Sequence, residues 1–230
     1  MFVLTMDQRA SRQGRDLVPD FLATLRQVST VLPFERSVGD EVQGVVMDAG
    51  TAVEVAMCAL RSGHWYVGVG LGSVDLPLPA SSREGSGSAF VAARSAVEAA
   101  KKTGERVALA VRWSSPAASP GKLKPGCGLP EPTQLVAAAQ AVLVLIGRLV
   151  RARTDAEWRV LDLLTPGERG GQAAVAQRLG ISPQAVSKAV LRSGWQEEQK
   201  GRMAAATLLG LAATAAWPEK PGKSGEGEET

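Results

Sequence analysis

The sequence predicts an α+β protein: a mixed sheet with helices in its first half, followed by an all-α domain. Three observations lead there. Up to about residue 113, short apolar runs of strand character alternate with runs of helical period. Residues 114–133 then hold five prolines and show no apolar periodicity. Beyond them every apolar run has helical spacing, and the charge balance turns basic.

Taken in order, residues 2–6 are a short apolar run with aromatic and β-branched members, a strand that ends at Asp7. Phe21, Leu22, Leu25, Val28 and Leu32 recur at helical spacing, which predicts a helix over about 15–31. Residues 34–38 and 42–47 read as two strands joined by Gly39-Asp40-Glu41, since Gly-Asp between strands signals a tight hairpin. Thr51 and Glu54 have capping-box spacing and open a helix to Leu60. Residues 65–72 form a strand whose glycines admit a close neighbour. An Ala-rich helix over 89–102 and a strand over 106–113 close the domain. The order β-α-β-β-α-β-α-β builds a mixed sheet with helices on one face, ferredoxin-like at its centre.

Four segments follow: an α+β domain at 1–113, a linker at 114–133, a helical domain at 134–217 and a polar tail at 218–230 expected to be disordered. Charge divides with them. Residues 1–116 hold 12 basic and 12 acidic side chains, whereas 148–217 hold 10 and 6, for +4. A basic segment beside a neutral one assigns polyanion binding to the second. Cys58 and Cys127 make no disulfide framework, and with His64 they are too few for a structural zinc site. One histidine also argues against Ser-His-Asp or Cys-His catalysis. Any metal would be held by oxygen, which selects Mg²⁺ or Mn²⁺. The start of the chain lacks signal-peptide character, and the apolar stretch at 135–147 falls short of the about 20 residues a membrane span needs. The expectation is a cytoplasmic protein with no membrane partner.

The predicted topology brings Asp7 and the hairpin pair Asp40-Glu41 to neighbouring central strands. Clustered carboxylates raise one another's pKa unless a cation sits between them. Mg²⁺ takes one or two carboxylates with water and substrate phosphates, so Asp7, Asp40 and Glu41 are the candidate metal ligands. The plainer alternative is a polar turn and a polar strand end.

These residues carry a resemblance. Asp7 after a strand, the hairpin 38–42 and the later Arg94 and Lys101 resemble the GGDEF and class III nucleotidyl cyclase superfamily, which extends to polymerase palm domains. More closely, MDQRASRQGR at 6–15, FERSVGDEVQGVV at 34–46, YVGVGLG at 66–72 and the Ala-rich helix ending in Lys101-Lys102 look like the SatD family, over residues 1 to about 112. The resemblance implies a palm-like fold, a divalent ion on Asp7, Asp40 and Glu41, and a nucleoside triphosphate contacted by Lys101, with Gly39 on the hairpin and Arg94 nearby. Departures are plain: Val38 replaces the first hairpin glycine, Glu105 stands where an arginine is expected, and Phe90 stands near the helix asparagine. They argue against cyclic-dinucleotide synthesis.

In the second half, residues 135–150 form a strongly apolar helix, a core helix or a dimer seam. Thr154 and Glu157 are a second capping box, opening a helix that 165–167 stops. Residues 172–193 then read as a helix-turn-helix resembling bacterial DNA-binding regulators: small Ala176 at the crossing, Gly180 for a positive φ, Ser182 as cap and Pro183 in the first turn. Val175, Leu179, Ile181, Val186 and Val190 are its expected core. In that geometry Ser182, Gln184, Ser187 and Lys188 face bases or phosphates, while Arg178 and Arg192 take phosphates. The helix after Trp195, with Met203, Ala206, Leu208, Leu209, Leu211 and Trp217, is expected to serve a two-fold dimer or to fold back over the motif.

Three functions follow as expectations. The first is a regulator of double-stranded DNA whose first domain binds a nucleotide with Mg²⁺. The second is a Mg²⁺-dependent nucleotidyl cyclase or transferase, and the third a dimerisation scaffold that binds no nucleotide.

Overall fold

Alternation in β1 (Phe2–Gln8) sends Phe2, Leu4 and Met6 to one face of the sheet and Val3, Thr5 and Asp7 to the other. The computed structural model describes residues 1–11, 14–102, 107–115, 130–166 and 170–216. Glu105, Arg106, Cys127, Gly167, Trp217, the tail and all but the ends of the expected linker lie outside the described residues.

The sheet has five strands in the order β2-β3-β1-β4-β5, with β2 at Leu32–Arg36, β3 at Glu41–Val46, β4 at Trp65–Leu71 and β5 at Leu109–Trp113. Neighbours are antiparallel except β4 and β5, which run parallel. The chain is α+β, with a mixed sheet and eight α-helices among the described residues.

The first face carries the larger core. Four helices pack on it: α1 (Val18–Thr24), α2 (Ala49–Ser62), α4 (Pro132–Ala152) and α8 (Trp195–Ala216). Phe21 of α1 stacks on Trp65 of β4 with ring centroids 4.5 Å apart. The opposite face is taken by α3 (Ser88–Lys102), so the helices do not all lie on one side as expected. The reason is the glycine stripe of β4. A Cβ at Gly68 would meet the Val97 amide nitrogen at 2.4 Å, and one at Gly70 would meet the Ala89 carbonyl oxygen at 2.2 Å. The close neighbour those glycines admit is the backbone of α3, and its Ala89, Ala93, Ala96 and Ala100 are buried there.

Helix ends follow local chemistry. Asp48 caps α2 by accepting from the Thr51 amide at 2.9 Å, so this helix opens before the expected Thr51 cap. α1 is shorter than its apolar period, because Leu25 and Val28 close turns after Thr24.

The second half does not stand apart. Leu135, Val136, Leu143, Ile146 and Val150 of α4, with Ala205, Leu209 and Ala212 of α8, belong to the same core as the sheet. The compositional break at 114–133 is therefore no break in packing. By length and composition α4 is long and apolar enough to cross a membrane, longer than its sequence indicated, yet its apolar stripe is buried in this core. A smaller core joins α5 (Asp155–Leu161), α6 (Gly171–Leu179) and α7 (Pro183–Arg192) around Val160, Val175, Val186 and Val190.

Candidate functional site

The register of the sheet builds the first candidate site. Asp7 pairs with Glu41 across β1/β3 and with Tyr66 across β1/β4. Asp7 and Glu41 are thus direct cross-strand neighbours on the α3 face, at a separation of about 5 Å between Cβ atoms. Lys101, in the last turn of α3, reaches over them: its Nζ lies 2.7 Å from Asp7 Oδ2 and 2.9 Å from Glu98 Oε1. Partial burial works against the Lys101 charge, but hydrogen bonds to Asp7 and Glu98 outweigh it and hold its pKa above the ordinary lysine value. Burial pushes the Glu41 carboxyl up, and the nearby Asp7 charge adds to this against the cations Arg94 and Lys101.

Asp40 does not join them. It stands in the turn opposite Gln8, whose amide donates to the Asp40 carbonyl at 3.3 Å. Gln8 serves the other face, where its side chain accepts from the Leu17 amide and donates to the Arg15 carbonyl ahead of α1. The pair is split because Asp40 belongs to the turn, whereas Glu41 is the first residue of β3. Gly39 supplies the turn with a φ of +60°, and its carbonyl accepts from Arg36. Among the described residues no three carboxylate, histidine or cysteine side chains come together to hold a metal. A divalent ion here would rest on Asp7 and Glu41 plus ligand oxygens, within the one or two carboxylates Mg²⁺ takes.

Beside this pair, between β3, the loop before α3 and the first turns of α3, is a cavity of about 510 Å³. Ser37, Gln43, Arg83, Phe90 and Arg94 line it. The Arg83 and Arg94 side chains have no ion pair among the described residues. Arg94, one of the expected nucleotide-binding residues, is therefore brought near Glu41 and Lys101. Arg83 carried no sequence signal, since it lies in a single 3-10 turn over Ser82–Glu84, too short for a period or motif.

The second candidate site is the surface of α6 and α7. Gly180, at φ +65°, ends α6, and the Ile181 amide donates back to the Ala176 carbonyl at 3.0 Å. Ser182 caps α7 by accepting from the Ala185 amide at 3.2 Å, with Pro183 in the first turn. Val175, Val186 and Val190 are buried as expected, but Ile181 is 39% exposed, because it sits in the turn itself and outside the crossing. Val186 and Val190 fix the orientation of α7 and leave Gln184, Ser187, Lys188 and Leu191 on its outer face, with helical spacing i, i+3, i+4 and i+7. The side chains of Gln184, Ser187 and Lys188, with that of Arg178 on α6, are exposed and make no hydrogen bond or ion pair among the described residues. Arg192 is engaged: its Nε lies 3.6 Å from Glu157 Oε1. Glu157 completes the reciprocal capping box with Thr154, whose backbone amide holds its carboxyl below the ordinary range.

Comparison with protein-family models, curated proteins and solved structures found no match to this chain.

Proposed function

We propose that this chain is a cytoplasmic DNA-binding regulator whose α6–α7 unit is a helix-turn-helix, with α7 lying in the major groove of double-stranded DNA. The observation that carries the reading is the outer face of α7: three polar side chains, capped in place at the helix start and free of internal partners. Gln184 reads adenine in this reading, and Ser182, Ser187 and Lys188 reach bases or phosphates. Arg178 supplies phosphate affinity, and Arg192 does so once it leaves Glu157. A homodimer would double a modest cationic surface. The exposed Met203 and Leu211 of α8 and Leu145 of α4 are the apolar side chains available to it.

The test is selection of bound fragments from random duplex DNA, followed by anisotropy titration. Gln184→Ala should weaken the selected site by about 1–3 kcal/mol and relax preference at one position, while Lys188→Ala should weaken all sequences and flatten the salt dependence. Wild-type and doubly substituted protein binding alike would refute the assigned helix.

A second reading is favoured by the cavity beside Asp7 and Glu41. In it the first half is a ferredoxin-like, cyclase or palm-related domain, in keeping with the all-antiparallel order β2-β3-β1-β4, and it binds a nucleotide. Arg94 and Lys101 would take phosphates, and Mg²⁺ on Asp7 and Glu41 would neutralise them. The likeness to the SatD family belongs to this reading. Calorimetric titration with ATP and GTP should give binding that requires Mg²⁺ and is lost in Asp7→Ala. Heatless titrations with either nucleotide would sink it.

A further inference from the structure

The joint between the sheet core and the α5–α7 unit contains a cleft of about 450 Å³, between the C-terminal ends of α2 and α4 and one side of α5. Its walls are cationic. Arg61 of α2, Arg151 of α4, Arg153 before α5 and Arg159 on α5 line it, against Asp155 and Asp162. Trp158 holds the centre: the Arg61 guanidinium carbon lies 3.9 Å from its ring centroid and that of Arg153 lies 4.8 Å away.

The arginines differ in what already satisfies them. Arg61 makes a two-pronged pair with Asp162, both distances 2.7 Å. Arg153 is buried, with 1% of its side chain exposed. Its Nη1 pairs with Glu198 Oε2 at 2.7 Å, its Nε donates to the Ser193 carbonyl, and its Nη2 is buried with no hydrogen-bond partner among the described residues. An unpaired donor on a buried charge is costly, and native structures rarely keep one without use. Glu198 cannot answer it alone, because its other oxygen is taken by Arg202. Arg151 and Arg159 have no ion pair among the described residues. Arg151 is nonetheless positioned: Gly63, at φ +78°, leaves open the space its guanidinium covers, where a Cβ would come within 1.8 Å of Nη1.

We propose that this cleft binds a small phosphate-bearing anion, held by Arg151, Arg153 and Arg159. Three guanidiniums lining one cleft, two from the end of α4 and one from α5, suit a tetrahedral oxyanion with several acceptor oxygens, whereas a single carboxylate would be met by one planar fork. The volume fits a pyrophosphate or a small phosphate ester and exceeds what one bare phosphate fills. The phosphate comes from a free small molecule and not from a DNA backbone, because none of the lining residues belongs to α6 or α7. The inference stands apart from the DNA-binding and nucleotide readings, which use other residues.

The experiment is calorimetric titration of the full chain with inorganic pyrophosphate in phosphate-free buffer, at ionic strength held constant with sodium chloride. Wild type is compared with Arg151→Ala/Arg159→Ala and with Arg148→Ala, an exposed arginine of α4 outside the cleft. Arg151 and Arg159 are exposed, so the double variant should melt at the wild-type temperature without ligand. Saturable binding in wild type and Arg148→Ala, weakened about tenfold or more in the double variant, is the expected result. No saturable binding in wild type, or equal weakening in Arg148→Ala, would overturn the proposal. So would a double variant that loses affinity for duplex DNA while pyrophosphate binds none of the three proteins, which would give the arginines to the DNA backbone.

Discussion

Glu41 shows how one residue's environment sets its chemistry. Its carboxyl is raised from 4.5 first by burial and then by the Asp7 charge, so the folded protein holds that proton more tightly than the unfolded chain. The stability this contributes is present below the unfolded value and is lost as pH rises through the raised folded value. Glu41→Gln should therefore be more stable than wild type near neutral pH, with the gap closing on acidification below the ordinary glutamate range. Urea midpoints of both proteins across pH would read it, and a gap that widens towards acid would contradict the assignment. Residue-level legibility was uneven for physical reasons. Asp7 and Glu41 were readable because a strand end and a hairpin each leave a local signature, whereas Lys101 was singled out only through the family resemblance. The separation of Asp40 from Glu41 was obscured, because the boundary between turn and strand falls between two adjacent carboxylates. Glu198 sits in a run that reads as surface, yet it is buried between Arg153 and Arg202. Only the Arg202 partner, four residues on, lay within reach of local spacing.

At the scale of elements, the sequence was most informative where one element's ends carry their own chemistry. The Thr154–Glu157 box, the Gly180 turn and the Ser182-Pro183 start all form as read, since each is complete within a few residues. Less was legible where a tertiary partner decides. Periodicity across 15–31 marks residues that face the core, and most of them do, but only 18–24 are helical because the chain turns away after Thr24. The glycines of β4 announced a close approach without naming what approaches. Their alternate spacing clears one face only, and the Ala-rich face of α3 is smooth enough to seat against bare backbone. The helix after Trp195 was expected to serve a dimer or to fold back, and its two faces divide: small alanines make most of the buried side of α8, while Met203 and Leu211 point outward.

For the whole molecule, the governing fact is unequal burial between two cores. The larger one unites the sheet with α1, α2, α4 and α8, so the helices at both ends of the second half are fixed by the strands of the first. The smaller one is a handful of side chains among α5, α6 and α7, tied to the rest by the Arg61–Asp162 pair, by the Arg153 bond to the Ser193 carbonyl and by the packing of Trp195. Composition could not disclose this, because a proline-rich stretch records where the chain is irregular and says nothing about which surfaces meet across it. Opening free energies within one protein scale with such buried contact, and the small unit can open while the large one stays closed. Native-state hydrogen exchange should then separate them. Amides of α6 and α7 should exchange at rates set by a local opening of low denaturant dependence, whereas those of β1, β4 and α4 should wait for global unfolding. Rupturing the Arg61–Asp162 pair with Asp162→Asn should speed exchange in α5–α7 and leave β1 unchanged. If α7 were instead protected as strongly as β1, and the substitution accelerated both together, the two cores would be one cooperative unit, and no independent movement of the α6–α7 surface could accompany binding.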